Sequence, residues 1–339
     1  MQHNHIMNNI ELLQCPLCES GIKQINSTHA RCSCSSYPVI KNILYLKRGI
    51  VAETSLTHLT RGEITKAMYA LMDSRRVANI LSASPYPIPT SILFFLLEII
   101  YFPQRHWWRY LKNRSRRITH LLALATISSI RPNHVIVDVG CGLGLFLQQA
   151  HLWHPTARLI GVDNSFFLLL LARRVLPSSV LLVCADIEMG LPLKNNVTNR
   201  MFFNDSIVPI AHKKLLFTHI HRALKKNGEV YLNHVHNTGG SLIEDHDGLS
   251  PRQMYTLTNH KLVLYTATDQ NLYEGVISQH QLQYSRVKPL APSYSYVLTR
   301  PRSSRVHRVT VAPIIHHHIT RQQVDFTEDE HINPHHKNL

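Results

Sequence analysis

The run His134-Val-Ile-Val-Asp138-Val-Gly140-Cys141-Gly142-Leu-Gly144-Leu-Phe-Leu decides the fold of this chain. Val135 to Val137 is a continuous apolar stretch, the pattern of a parallel strand buried on both faces. Three glycines at alternate positions follow, and then the apolar residues of a helix start. Glycine lets the chain turn sharply and lets backbone come close to a ligand. A glycine loop between a buried strand and a helix N-terminus therefore predicts a ligand-binding βα unit.

Three further pieces follow in order. Leu159-Ile-Gly-Val-Asp163 reads as a second strand ending in a carboxylate, 25 residues after Asp138. That offset suits a strand-helix-strand unit whose second strand offers an acid to a ribose diol. Asn164 and Ser165 come next, and Ser165 is a good N-cap for a helix over Phe166 to Val175. Val180 to Asp186 and Ile187 form a third strand ending in another acid. Asn199 to Asn204, a helix from about Pro209 to Leu224, and Gly228 to Asn233 complete the alternation. Alternating strands and helices with short connections predict an α/β fold, a doubly wound and mostly parallel sheet. A dehydrogenase-type loop prefers Gly-x-Gly-x-x-Gly, whereas here the third glycine comes one residue early. A P-loop is excluded because no Gly-Lys-Ser/Thr follows. The plain alternative is glycine turns in some other α/β protein.

Taken together, these pieces resemble the class I S-adenosylmethionine-dependent methyltransferases. Asp138, Gly140, Gly142 and Gly144 match the family's first motif, with Cys141 inside it. The resemblance implies that this loop wraps the methionine part of S-adenosyl-L-methionine and that Asp163, beside Asn164, holds the ribose hydroxyls. It implies that Asp186 and Ile187 flank the adenine; Asn204, at the end of the fourth strand, is a further candidate cofactor-binding residue. Leu191-Pro-Leu193 and Arg222-Ala-Leu-Lys-Lys-Asn-Gly228 resemble turns of the type 11 subgroup, although Asn199 stands where that subgroup carries Asp. The family fold is a Rossmann-like seven-stranded sheet closed by an antiparallel hairpin. Gln281 to Val287 and Tyr294 to Thr299 are the expected closing strands, and Tyr296 to Pro301 resembles the family's last strand.

Upstream, Cys15-Pro-Leu-Cys18 and Cys32-Ser-Cys34 supply four thiols in two tight pairs. Zinc takes four soft ligands in a tetrahedron, and about fifty residues bury too little core to fold alone. A structural zinc site in a small ribbon is expected; two metal-free surface thiol pairs are the alternative. Tyr37-Pro-Val-Ile and Ile43-Leu-Tyr-Leu resemble the strands that close the zinc ribbon of the tRNA-methyltransferase activator family. Lys41-Asn42 occupy the turn where that family usually has glycine. The expected organisation is a ribbon over 1–50, a basic helical connector over 51–130, the methyltransferase domain over 131–302 and a mobile, His-rich tail over 303–339.

Charge bounds the partners. Lys and Arg number 36 against 21 Asp and Glu, a net +15, with 24 histidines besides. That balance favours anionic partners such as RNA or a lipid surface and says nothing of fold. Arg105 to Arg117 mixes cations with two Trp and a Tyr, which suits base stacking on RNA, peripheral membrane contact or an ordinary solvated helix. No apolar run approaches the ~20 residues of a spanning helix, so no transmembrane segment is expected. The first residues are polar and carry no secretory pattern, so a cytoplasmic protein is expected. A small-molecule or lipid acceptor is the first reading, an RNA methyltransferase the second, and a non-catalytic scaffold the third. Zinc ribbons also precede the rRNA guanine-N1 methyltransferases, but those have a Cys-His second pair. An acceptor would sit near Asn204, Asp205, His212, His234 and His236. None of these is assigned as a catalytic base.

Overall fold

The computed structural model describes residues 6–72, 118–236, 249–258, 262–286, 293–299 and 306–320. The Arg105–Arg117 segment lies outside them. So do residues 237–248, and residues 321–339 of the expected tail.

The N-terminal strands are β1 (Lys23–Gln24), β2 (His29–Arg31), β3 (Ser36–Ile40) and β4 (Ile43–Tyr45), followed by helices α1 (Ile50–Thr60), α2 (Ile64–Ala70) and α3 (Ile118–Thr126). The α/β core then runs β5 (Val135–Val139), α4 (Leu145–Trp153), β6 (Arg158–Asp163), α5 (Phe166–Val175), β7 (Leu181–Cys184), β8 (Thr198–Asn204), α6 (Lys213–Ala223) and β9 (Leu224–His236). The C-terminal part holds α7 (Pro251–Leu257), β10 (Val263–Thr268), α8 (Asp269–Gln279), β11 (Gln281–Ser285), β12 (Ser293–Thr299), β13 (Val306–Thr310) and α9 (Pro313–Thr320).

The central strands β7, β6, β5, β8 and β9 are parallel neighbours in that order. Every residue of β5 and β7 is buried, as a sheet covered on both faces requires. Alternate side chains feed two cores. Ile136, Leu182, Phe202 and Tyr231 point to the face covered by α3, α4, α5 and α8. Val135, Val137, Val183 and Phe203 point to the face covered by α6 and by the N-terminal strands. Local signals behave as read: the Ser165 hydroxyl accepts from Leu168 N at 3.3 Å and caps α5.

Four expectations are corrected. In place of the expected seven-stranded sheet, the described residues form a mixed sheet of thirteen strands, in the order β1-β2-β3-β4-β7-β6-β5-β8-β9-β12-β10-β11-β13. The N-terminal strands join it because β4 pairs in parallel with β7, Ile43 opposite Leu182 and Tyr45 opposite Cys184. Parallel pairing between segments about 140 residues apart leaves no mark on local sequence. The expected hairpin of Gln281 to Val287 with Tyr294 to Thr299 does not form: β12 inserts between β9 and β10, while β11 pairs outside with β10 and β13. Strand β10 itself went unread, since Val-Leu-Tyr-Thr-Ala-Thr carries only a weak alternation. Finally, residues 306–320 of the expected mobile tail form β13 and α9, with Val309, Val311, Ile315 and Ile319 buried. Among the described residues no helix is long and apolar enough to cross a membrane.

Candidate cofactor and acceptor site

The glycine loop lies over the carboxyl ends of β5 and β6. The N–H groups of Gly140 and Cys141 both donate to Val162 O, at 2.8 and 3.1 Å, which curls the loop onto the neighbouring strand. Gly140, Gly142 and Gly144 all take positive φ, at 75°, 50° and 71°. Their surroundings differ. A methyl group at Gly140 would fall 2.4 Å from Ser206 Cβ, and one at Gly144 2.6 Å from a Leu176 methyl. At Gly142 nothing lies within 4 Å. Two of the glycines are thus required by packing, and Gly142 faces open space. That is the cradle a ligand backing onto this loop needs.

Asp163 ties the loop to the second strand. Its Oδ2 accepts from Gly142 N and its Oδ1 from Ser165 N, each at 2.8 Å. Burial pushes this carboxyl above the ordinary range, and the two N–H groups oppose that shift. Each oxygen keeps lone-pair capacity for a diol. Asn164 is exposed, and its carbonyl accepts from Lys47 Nζ at 3.1 Å. The Asp186 Oδ1 accepts from Glu188 N at 3.1 Å and caps the short 3-10 turn Ile187–Met189. Ile187 packs beside it, partly buried. The Cys141 side chain is buried, 2.8 Å from where a side chain at Gly161 would begin, and burial holds its thiol well above the usual range. Only its backbone is available to a ligand, so its assignment to the cofactor rests on main chain alone.

Asp138 and Asn204 belong to a polar row across three strand ends. Asn204 Nδ2 donates to Asp138 Oδ1 at 3.1 Å, and Asn233 Nδ2 donates to Asn204 Oδ1 at 2.8 Å. Asn233 Oδ1 is buried without a hydrogen-bond partner among the described residues. Buried acceptors are nearly always satisfied, so a donor from a bound molecule is the natural completion. Asn233 was missed as a site residue. The signal available was its place at the end of the strand beside Asn204, with which it is in register. Asp269 and Lys47 were also missed, because each enters from an element distant in sequence from the strand ends it serves. His212 lies apart, on a groove of about 1110 Å³ lined by Glu188, Lys213, Leu249 and Arg252.

The four ribbon thiols converge. The sulfurs of Cys15 and Cys34, and of Cys18 and Cys32, are 3.7 Å apart, and those of Cys32 and Cys34 are 3.3 Å apart. A tetrahedral zinc with bonds of ~2.3 Å holds its sulfurs ~3.8 Å apart. Leu17 N and Cys34 N each donate to a sulfur at 3.4 Å, the Tyr37 hydroxyl is 3.1 Å from Cys15 Sγ, and the Arg48 guanidinium donates to Cys34 Sγ. These donors suit thiolates. The turn at Lys41 and Asn42 takes φ of 53° and 59°, the left-handed pair of a tight hairpin.

The family description "Methyltransferase domain" matches residues 130–286. Residues 130–286, a little under half of the chain, are thus similar to a methyltransferase domain. The chain is similar to the trans-aconitate 2-methyltransferase of Acidovorax ebreus, 37% identical over 120 residues, which is 35% of this chain and 44% of that protein. The carboxy-S-adenosyl-L-methionine synthase of Alteromonas mediterranea is 29% identical over 139 residues, 38% of this chain and 57% of that protein. The chain spans about half the length of the curated relatives it matches. Among solved structures, the complex of the Haloferax volcanii Trm112 methyltransferase activator with a putative methyltransferase aligns at 16% identity and a TM-score of 0.44, over 58% of this chain and 94% of that one. Within residues 130–286 the glycine loop, Asp163, Asp186 and the Asp138–Asn204–Asn233 row all gather at the carboxyl ends of β5 to β9.

Proposed function

We propose that this chain is an S-adenosylmethionine-dependent methyltransferase acting on a small-molecule acceptor, with a structural zinc in its N-terminal ribbon. The observation that carries the reading is Gly142, which faces open space while its N–H is locked onto Asp163. When bound there, S-adenosylmethionine supplies a methyl group on a positively charged sulfur, which leaves as a neutral thioether. The protein's work is then mainly placement. The loop from Gly140 to Gly144 would take the amino-acid part, Asp163 the ribose, and Asp186 and Ile187 the adenine. Asn204 and Asn233 would line the acceptor side.

The curated relatives named above act on, or make, small molecules, which favours that acceptor class over RNA or lipid. The basic segment that motivated RNA and lipid partners lies outside the described residues. The ribbon sulfurs stand close to zinc spacing, so Cys15, Cys18, Cys32 and Cys34 would hold the metal with no open position, in a structural role.

The test is transfer of radiolabelled methyl from S-adenosylmethionine into a cell extract lacking this protein, comparing wild type with Asp163→Ala. Label that depends on Asp163 and collects in the small-molecule pool is expected. Label in the RNA or lipid pool overturns the acceptor class. Absence of both label and cofactor binding overturns the enzymatic reading and favours a scaffold.

A further inference from the structure

Beside the proposed cofactor cradle, at the ends of β8 and β9, three potential metal ligands converge. Asp205, His234 and His236 each offer a donor atom, and these atoms lie within 4.8 Å of one another. The sequence placed all three near the acceptor but said nothing of their meeting. We infer that they form a site for a divalent first-row metal ion on the acceptor side of the methyltransferase domain.

Backbone geometry aims the ligands. His234 and Asp205 both take left-handed φ, 59° and 55°, a conformation that non-glycine residues hold only where the surroundings enforce it. At His234 the pairing of β9 with β12 shifts register between Tyr294 and Tyr296, a bulge inside an otherwise regular ladder. Bulges next to active sites re-aim side chains. Here the bulge brings His234 and His236 together, with ring centroids 4.6 Å apart. Asp205 is fixed from the other strand, its N–H donating to Asn233 O at 2.9 Å.

The surroundings of His234 are those of a metal ligand. Its Nδ1 pairs with Asp269 Oδ2 at 2.7 Å, and both side chains are buried. Asp269 is itself held by the Ser295 hydroxyl at 2.6 Å, and Ser295 also accepts from His234 N. Metal-binding histidines commonly give their second nitrogen to a carboxylate in this way, which fixes the tautomer and leaves Nε2 as the donor. Two imidazoles and one carboxylate suit Mn2+, Fe2+, Co2+, Ni2+ or Zn2+, and leave positions open on the metal. Bonds of ~2.1 Å set donors ~3 to 3.5 Å apart, so closing from the observed spacing needs small side-chain rotations. The open positions would take an oxygen atom of the acceptor; this last clause rests on the methyltransferase reading, whereas metal binding does not.

The experiment is a Co2+ titration of the full chain, followed by visible absorption, with S-adenosylhomocysteine binding measured calorimetrically on metal-free samples. Cobalt in the thiolate site shows intense sulfur-to-metal charge-transfer bands; cobalt on imidazole and carboxylate shows only weak d–d bands. Wild type is expected to bind one Co2+ of the second kind, and His236→Ala and Asp205→Asn are each expected to weaken it at least tenfold. Cys18→Ser should change only the charge-transfer bands. Thermal unfolding of each variant identifies any that misfolds, in which case His236→Gln replaces it. Second-class uptake equal in wild type and variants would place the metal on other histidines and overturn the site. Wild type that takes up no Co2+ of the second kind yet binds S-adenosylhomocysteine would sink this inference alone; loss of cofactor binding by wild type would sink the methyltransferase reading instead.

Discussion

Substituting Gly140 and Gly142 separately by alanine should divide packing from ligand binding within one loop. At Gly142, φ is 50° and a new methyl meets nothing within 4 Å. The left-handed conformation costs an alanine ~1 kcal/mol, and the stiffer unfolded chain returns part of that, ~0.4 to 1 kcal/mol. The net loss is at most about 1 kcal/mol, or ~2 °C in Tm. At Gly140, φ is 75° and the methyl falls 2.4 Å from Ser206 Cβ and 2.9 Å from its Oγ. Overpacking of that kind costs ~1 to 3 kcal/mol on top of the backbone term. Ser206 cannot yield cheaply, because its hydroxyl is bonded to Val139 O at 2.5 Å. Gly140→Ala should therefore lower Tm by ~5 °C or more. Binding should rank the other way relative to stability: Gly142→Ala, nearly as stable as wild type, should lose at least tenfold in S-adenosylhomocysteine affinity, ~1.4 kcal/mol. Scanning calorimetry and titration calorimetry read the two effects. Unchanged affinity in Gly142→Ala, or destabilisation equal to that of Gly140→Ala, would refute the assignment of the open space as the cofactor cradle.

Other outcomes follow from the same structure. Because Cys15, Cys32, Tyr37 and Leu44 belong to the core that also holds Val137 and Phe203, chelating the proposed ribbon zinc, or Cys32→Ser, should lower the Tm of the α/β domain itself by at least ~5 °C. Separate melting of ribbon and domain would contradict this. His134 accepts from Arg131 N, and burial, with Arg200 nearby, holds its pKa down at about 4. A depressed histidine pKa means the unfolded chain binds the extra proton, so stability is full above pH ~6.5 and falls as pH drops toward 4. His134→Gln should flatten that part of the stability profile in urea titrations. Glu229 is buried between Arg200 Nε at 3.2 Å and the Tyr231 hydroxyl at 2.8 Å. Glu229→Ala leaves the guanidinium uncompensated and should cost ~3 to 5 kcal/mol in the same titrations; a loss below 1 kcal/mol would mean Arg200 finds another partner.

Much of the core was legible without coordinates, because its signals are local. Val135 to Val137 is apolar since both faces of β5 are covered, the three glycines are needed where φ is positive, and Ser165 caps the helix that follows it. The acids at the ends of β6 and β7 follow from strand length and loop spacing. The four ribbon cysteines were legible as a group for the same reason: each pair is close in sequence.

What tertiary structure alone decided depends on contacts between residues far apart in the chain. Parallel pairing of β4 with β7 turns a ribbon that reads as a separate unit into the edge of the main sheet. Insertion of β12 between β9 and β10 is a choice of partner, which period-two patterning cannot encode. The stretch beyond Arg302 reads as tail because it turns basic, then acidic and histidine-rich, yet Val309, Val311, Ile315 and Ile319 are buried and dock residues 306–320. The meeting of Asp205, His234 and His236, backed by Asp269 and Ser295, needs a bulge and two adjacent strand ends. Sequence spacing determines which side chains share a strand or a turn; only the assembled sheet determines which strand ends become neighbours, and the chemistry of this site lies at those ends.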